Sequence, residues 1–176
     1  MVYLPGFKSK KLHTIFSKLS NYQWKIYSSE IKENSTEANL HFAPISEDAF
    51  LKDLAQCAGV VTAAGFTTTS EVLYLKKPLL VIPLKNQIEQ ELNAFILKKM
   101  GVSVIKNLKV NNLSKLETWA ETLEVLEVDF PDETQRLVDL LLIDFIRAKM
   151  KLNHLNEKKE FKLLSLTGIL TTLKNI

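Results

Sequence analysis

Hydroxyl side chains cluster directly after an uncharged apolar run. The run 60–64 ends in small residues, and Gly65, Phe66, Thr67 and Thr68 follow where a helix is predicted to begin. A tight strand-to-helix turn exposes backbone N–H groups that, with the helix dipole, favour an anion such as a pyrophosphate. Gly65 would permit a close approach of that anion or a positive φ. The alternative is that the hydroxyls only cap the helix, because the run is neither a Walker loop nor a GxGxxG fingerprint.

One carboxylate, Glu71, follows this turn at a distance of about one helical turn. A carboxylate in that position can accept hydrogen bonds from two ribose hydroxyls, as acidic residues do in nucleotide sites. The alternative is an acid in the first turn of a helix, where the dipole favours it. Sequence alone leaves these two interpretations open.

Amide side chains open the next predicted helix. Gln87, Glu89, Gln90 and Asn93 lie in its first two turns, and Gln90 and Asn93 share one helix face because they are three residues apart. Amides suit the hydroxyls of a sugar because each amide both donates and accepts hydrogen bonds. The alternative is a solvated first turn, although Asn93 lies between two residues that are predicted to face inward.

Short apolar runs alternate with helical segments along most of the chain. This alternation predicts an α/β fold with a Rossmann-like, doubly wound parallel sheet and helices on both faces. Residues 31–38 are predicted to be a polar loop, and Gly59 is predicted to end the second helix. The predicted strands are 1–5, 23–28, 39–43, 60–64, 78–84 and 102–105, and the predicted helices are 9–19, 46–58, 67–75, 87–100 and 113–123.

The helix at 87–100 has an apolar stripe made of Ile88, Leu92, Phe95 and Ile96. Their helical spacing predicts that this stripe faces the sheet. Gly101 is predicted to stop the helix.

The last predicted helix begins at Pro131 and reaches about residue 153. It is apolar on most sides between Leu137 and Ile146, so it is predicted to be covered on more than one face. We therefore predict a domain over 1–153 with extra C-terminal helices. The tail 154–176 is compatible with a helix, a partner-binding segment or disorder.

Composition excludes several classes of protein. The 176 residues suffice for one domain with a core, and the net charge of +3 is too small and dispersed for nucleic acid. It is compatible with a mildly basic face that meets anionic lipid or phosphate. A single cysteine, no signal peptide and no membrane-length apolar run predict a cytoplasmic location. The three histidines lack ligand spacing, so no metal is expected.

The central stretch has the pattern of a known enzyme family. Cys57–Gly101 resembles the C-terminal, donor-binding half of GT-B glycosyltransferases, in the group of the lipid-linked N-acetylglucosaminyltransferase of peptidoglycan synthesis and the UDP-glycosyltransferases. Val2–Pro5 also resembles the first strand of such a half, whose end would face the donor phosphates. The matching residues are Ala64-Gly65, the hydroxyls of 67–70, Glu71-x-Leu73, Lys77-Pro78, Pro83 and Gln87-x-Glu89-Gln90-x-x-Asn93-Ala94.

The resemblance implies a single GT-B half that binds a nucleotide-sugar donor. The donor would be a UDP-sugar carrying a hexose, with no other cofactor and no metal. The implied contacts are Gly65, Phe66, Thr67 and Thr68 for the pyrophosphate, Glu71 for the ribose, and Gln90 and Asn93 with Glu89 or Gln87 for the sugar.

The resemblance also implies a missing partner. In GT-B enzymes an N-terminal Rossmann half carries the acceptor site and usually the catalytic base, so the catalytic residue here is unknown. That half is expected either in a longer native chain or in a second chain, as in the two-chain dolichol-linked N-acetylglucosaminyltransferase. A lipid acceptor would add peripheral membrane contact. The alternatives are a non-catalytic nucleotide- or protein-binding module with this fold, and an isomerase of UDP-sugars.

Overall fold

The computed structural model describes residues 1–151, which belong to two compact units. The first unit is Met1–Asp129. The second begins at Phe130 and, within the described residues, contains a helix over 134–151. The predicted tail 154–176 lies outside the described residues, and the predicted domain boundary near 153 stays a prediction.

Seven short strands of the first unit form one sheet. They are β1 (Val2–Tyr3), β2 (Trp24–Tyr27), β3 (Ser35–Glu37), β4 (Leu40–Ala43), β5 (Val60–Thr62), β6 (Leu79–Val81) and β7 (Ser103–Val104). Their order is β3-β4-β2-β1-β5-β6-β7, and every pair is parallel except β3 with β4. Because the chain moves outward from β1 in both directions, the sheet is doubly wound.

Helices cover both faces of this sheet. They are α1 (Ser9–Phe16), α2 (Glu47–Gln56), α3 (Phe66–Tyr74), α4 (Ile88–Met100) and α5 (Leu113–Thr122), with a 3-10 turn at Val110–Asn112. Buried residues of α1 and α5, such as Phe16 and Leu116, share one core with Val61. Those of α2, α3 and α4 share the other core with Val60, because successive strand residues point to opposite faces. The predicted Rossmann-like α/β fold is confirmed. Within residues 1–151, every helix is too short or too polar to span a bilayer.

The strand β3 departs from the predicted loop at 31–38. It pairs antiparallel with β4, and Ala38 turns the chain between them with a positive φ of 51°. All three residues of β3 are exposed, so the strand has no apolar alternation that a sequence pattern could reveal.

Gly59 does not end α2, contrary to the prediction. The helix stops at Gln56 with Cys57 as its extended C-cap. A Cβ built on Gly59 would lie 3.0 Å from Leu123 Cδ2 and 3.1 Å from Trp119 Cη2. Gly59 therefore lets the start of β5 approach α5 closely.

Gly59→Val is expected to lower the free energy of unfolding by about 2 kcal/mol, because the larger side chain overpacks this contact. Urea denaturation measures the change. Gly65→Ser is the matched control, since a Cβ at Gly65 meets nothing within 4 Å. An equal loss of stability in both variants would contradict the packing role of Gly59.

The apolar stripe of α4 faces away from the sheet, so the prediction that it faces inward is wrong. The inward residues are Ala94 and Leu97, and Gly101 ends the helix in the left-handed region as predicted. The side chains of the stripe are 48–84% exposed; they are Ile88, Leu92, Phe95 and Ile96. Helical spacing therefore identified the stripe but not the side of the helix that packs.

The helix of the second unit begins at 134 rather than at Pro131. Asp132 Oδ1 accepts a hydrogen bond from the Thr134 amide at 3.0 Å, which helps to start it. The apolar side chains between Leu137 and Ile146 are exposed, so the predicted cover on more than one face is absent from the described residues.

Candidate functional site

The turn after β5 presents backbone amides at the start of α3. Gly65 is the N-cap, with an extended φ of −74°, and within residues 1–151 no side chain accepts a hydrogen bond from the first amides of the helix. The positive φ considered for Gly65 is therefore wrong, and so is the interpretation of the hydroxyls as caps. A Cβ on Gly65 would meet nothing within 4 Å, so an outside ligand can approach this backbone closely.

The hydroxyls that follow Gly65 divide into two kinds. Thr69 is buried, and its Oγ1 donates to Gly65 O at 2.7 Å, with Phe66 O at 3.0 Å. Thr67 is exposed and Thr68 is half-buried, and both line a surface cavity. Thr67 and Thr68 are thus available to a ligand, whereas Thr69 holds the first turn of α3.

Thr69→Val is expected to reduce the free energy of unfolding by about 1 kcal/mol, because valine lacks the buried hydroxyl that donates to Gly65 O. Thr67→Val, at an exposed position of the same turn, should stay within about 0.5 kcal/mol of the wild type. Guanidinium denaturation of both variants tests this division. A larger loss for Thr67→Val than for Thr69→Val would refute it.

A cavity of about 310 Å³ opens beside the start of α3. Thr67, Thr68 and Glu71 form its polar wall. The Glu71 carboxylate is half-buried and forms no ion pair within residues 1–151. It is therefore free to accept hydrogen bonds from a ligand in the cavity.

Apolar side chains from the end of β4 and from α2 also line this cavity. Ile45 and Leu51 are 47% and 46% exposed, and Phe50 packs edge-on against Tyr3 at 5.0 Å between ring centres. The sequence pattern did not reveal these residues or Glu47 as part of the site. Their position in the chain could have identified them. They follow the end of β4, and ligands bind beyond the carboxyl ends of parallel strands.

The amides of α4 are anchored to the loops beside the turn. Asn93 Nδ2 donates to Ala64 O at 3.1 Å, and Gln90 Oε1 accepts from Leu84 N at 3.0 Å. Within the described residues, each amide keeps its other polar atom without a protein partner, Asn93 Oδ1 and Gln90 Nε2. Gln87, the N-cap of α4, and Glu89 are exposed. The structure thus orients Gln90 and Asn93 and leaves Gln87 and Glu89 in solvent.

The end of β1 leads to a helix N-terminus that is already occupied. Glu30 Oε2 accepts hydrogen bonds from the Ser9 amide and Ser9 Oγ, both at 2.7 Å. These bonds, together with the charge of Lys8, hold the pKa of Glu30 below its usual value. An internal carboxylate therefore takes the anion position of α1, whereas the start of α3 remains open.

A larger groove of about 620 Å³ lies elsewhere, between α1 and residues 108–111. Lys8, Lys10, Lys11 and Lys109 surround it, and none of the predicted site residues lines it. We call it the lysine groove. In the described part of the chain, no group of three or more His, Cys, Asp or Glu residues could hold a metal ion.

The sequence agrees with one family over most of its length. The model of glycosyl transferase family 1 matches residues 1–123. The chain belongs to glycosyl transferase family 1. The match extends well beyond Cys57–Gly101, the stretch that carries the resemblance, and it contains every predicted site residue. A search of curated proteins found no match.

Two solved structures show the fold of this glycosyltransferase domain. MurG of Acinetobacter baumannii is 20% identical, with a TM-score of 0.57 over 79% of this chain and 48% of that one. The glycotransferase of kitacinnamycin is 18% identical, with a TM-score of 0.52 over 69% of this chain and 34% of that one. The chain thus spans between a third and a half of these proteins. The expectation of a single GT-B half is confirmed.

Proposed function

We propose that this domain binds the nucleotide-sugar donor, a UDP-sugar, of a transferase that moves a hexose to an acceptor. Family membership supports the reaction class. The observation that carries the proposal is the cavity at the start of α3, where a polar wall, an apolar wall and uncapped amides meet. The competing functions are a non-catalytic nucleotide- or protein-binding module and an isomerase of UDP-sugars.

The shape of the cavity suits a nucleoside. A base is flat and largely apolar on its faces, so Ile45, Phe50 and Leu51 offer it a surface. The ribose carries two neighbouring hydroxyls, and the Glu71 carboxylate can accept hydrogen bonds from both. The apolar and polar residues that line the cavity thus support the proposal that it binds a nucleoside.

The diphosphate would lie on the amides at the start of α3. The Phe66 and Thr67 amides carry the positive end of the helix dipole, and Thr67 and Thr68 add hydroxyl donors. In the transfer, the bond from the anomeric carbon to the diphosphate oxygen breaks as the acceptor oxygen bonds to that carbon. The amides and hydroxyls would stabilise the charge on the departing diphosphate.

The donor sugar would meet the anchored amides of α4. Asn93 Oδ1 would accept from a sugar hydroxyl and Gln90 Nε2 would donate to one, because their other atoms are fixed to Ala64 O and Leu84 N. Glu89 or Gln87 would complete the contacts from the exposed start of the helix. Preorganised amides lose little side-chain entropy when the sugar binds.

The acceptor site and the base would come from another GT-B half, because this chain spans 34–48% of the solved structures it matches. That half would belong to a longer chain or to a second chain, in the cytoplasm. If the acceptor is a lipid, the lysine groove beside α1 offers a membrane contact. Cosedimentation of the chain with anionic vesicles tests that contact, and equal sedimentation with zwitterionic vesicles would refute it.

Calorimetric titration of the full chain with UDP and with uridine tests the proposal. We expect saturable UDP binding below about 1 mM and at least about tenfold weaker binding of uridine, which lacks the diphosphate. ADP is the control for recognition of the base. No heat with UDP at several millimolar, or equal affinity for UDP and uridine, would refute donor binding at this turn.

A further inference from the structure

The lysine groove contains apolar surface as well as lysines. Ile15 and Leu108 line it and belong to one of the two buried cores, and Val110, which is 53% exposed, extends this apolar surface towards solvent. We call these three residues the floor. Sites for small molecules have volumes of about 300–1,000 Å³ and mainly apolar linings. At about 620 Å³, the groove has the size and the lining of such a site.

The charged residues that line the groove are all basic. Lys8, Lys10 and Lys11 line it from the side of α1, and Lys109 lines it from the other side. Within residues 1–151, none of the four forms an ion pair. The Lys8 charge helps to lower the pKa of the Glu30 carboxyl, so this carboxylate offsets Lys8. Lys10, Lys11 and Lys109 keep charges that no carboxylate of the described residues pairs, and we call these three the rim.

A ligand of this groove has to match both the floor and the rim. An inorganic anion would leave the floor in water, and a neutral apolar molecule would leave the rim without a counter-charge. A partner protein covers about 20–30 residues on each side of an interface, whereas nine residues line this groove. The chemistry that complements the groove is therefore an apolar chain that carries an anionic head.

We propose that the lysine groove binds one anionic phospholipid, with an acyl chain on the floor and the phosphate at the rim. Burial of the chain against apolar surface favours binding. The lysine ammonium groups donate charge-assisted hydrogen bonds to the phosphate oxygens. A lysine stem can lie along apolar surface while its charged head stays in water, so the rim can contact both parts of the lipid.

The lipid site is separate from the candidate donor site. The groove shares no residue with the cavity at the start of α3, so the lipid binds whether or not UDP does and whatever the acceptor is. The proposal also goes beyond a membrane contact through surface charge, which would use the rim alone. Affinity should therefore depend on the floor as well as on the lysines.

Amide chemical shifts of the ¹⁵N-labelled full chain, titrated with dodecyl phosphate below the concentration at which it forms micelles, test the proposal. We expect saturable changes at 8–15 and 108–111, with a Kd on the order of 0.1 mM. Inorganic phosphate and the zwitterionic dodecyl sulfobetaine should each bind at least about tenfold more weakly. Equal affinity for either of these two, or changes centred on 65–71, would overturn the proposal. UDP is titrated separately, so this proposal and donor binding can fail independently.

Val110→Asn makes the exposed part of the floor polar without changing the charge. We expect it to bind dodecyl phosphate at least about fivefold more weakly, because the chain loses apolar contact. Val125→Asn is the matched control, at a 44% exposed valine outside the groove, and it should stay within about twofold of the wild type. Circular dichroism verifies that both variants are folded. Unchanged affinity of Val110→Asn, or equal losses in both variants, would refute the role of the floor.

The triple variant Lys10→Gln, Lys11→Gln and Lys109→Gln removes the rim charges. Its affinity for dodecyl phosphate should fall at least about tenfold, because the phosphate loses its charged donors. The matched control is a triple glutamine variant of equal net charge, at exposed lysines outside the groove: Lys52, Lys98 and Lys99. An equal loss in the control would reduce the effect to net charge and overturn the proposed site.

Cosedimentation with phosphatidylglycerol vesicles shows whether the ligand is a membrane lipid. Val125→Asn should bind the vesicles as the wild type does, and Val110→Asn should bind them at least about threefold more weakly although its charge is unchanged. If Val110→Asn bound them as strongly as the wild type, the chain would contact membranes by charge alone or the groove would take soluble amphiphiles only. Either outcome would contradict the proposal.

Discussion

Gly65→Ser is expected to weaken UDP binding by at least about tenfold while leaving the domain as stable as the wild type. Gly65 has the extended backbone of an N-cap, and a Cβ there meets nothing within 4 Å, so serine fits without strain. Serine is also a preferred N-cap, and its Oγ would accept from the Thr67 or Thr68 amide. The new cap would thus occupy the donors that a diphosphate needs. Calorimetry with UDP and urea denaturation measure the two effects.

Lys8→Ser is the matched control for this prediction. Lys8 is the N-cap of α1, also extended and without a side-chain cap, and Glu30 already binds the following amide. A serine there should change neither UDP affinity nor stability by more than about 0.5 kcal/mol. If Gly65→Ser retained full UDP affinity, the start of α3 would not be the phosphate site.

Glu71→Ala is expected to weaken UDP binding by about 1.5–3 kcal/mol, roughly 10- to 150-fold, since hydrogen bonds to a charged group are lost. The loss of affinity should vanish for 2′,3′-dideoxy-UDP, because that ligand lacks the two hydroxyls that are proposed to donate hydrogen bonds to Glu71. Stability should change little, because the carboxylate forms no ion pair within the described residues. Calorimetry of both proteins with both ligands measures the coupling.

Glu33→Ala, an exposed acid in the loop before β3, controls for the change in net charge. It should leave the affinity for either ligand within twofold of the wild type, a difference on the order of 0.4 kcal/mol. If Glu71→Ala lost the same affinity for UDP and for dideoxy-UDP, Glu71 would not bind the ribose hydroxyls. The loss of affinity would then be a general electrostatic or structural effect of the substitution.

The strand and helix order followed from the sequence because buried parallel strands are short, apolar and uncharged. Val60–Thr62 and Leu79–Val81 are such runs, and both lie where the sequence predicts strands. The edge strand Ser35–Glu37 could not be found this way. Its pairing depends on backbone hydrogen bonds to β4, and its exposed polar side chains carry no periodic signal.

The orientation of α4 shows a limit of amphipathic patterns. The large apolar residues of this helix lie on its solvent face, while small Ala94 and the amide of Asn93 lie towards the sheet. Asn93 Nδ2 reaches Ala64 O from that side, at 3.1 Å. A hydrophobic stripe predicts a buried surface, but within residues 1–151 this stripe is exposed.

The polar residues of the candidate site could be predicted from the sequence, but its apolar residues could not. Thr67 and Glu71 were recognised as candidate site residues because they are polar and follow a glycine turn. The apolar wall of Ile45, Phe50 and Leu51 did not, because such residues look like core until the fold shows them at a cavity. The division between buried Thr69 and its available neighbours likewise depends on the first turn of α3.

Amide chemical shifts of the ¹⁵N-labelled full chain during titration with UDP test the central claim most directly. That claim is that the turn after β5 and the adjoining cavity hold the donor nucleotide. The largest shift changes should fall on 65–71, with a second set on 45–51, and the amides of α1 should stay unchanged. Largest changes at α1 and the lysine groove, or no change at saturating UDP, would contradict it.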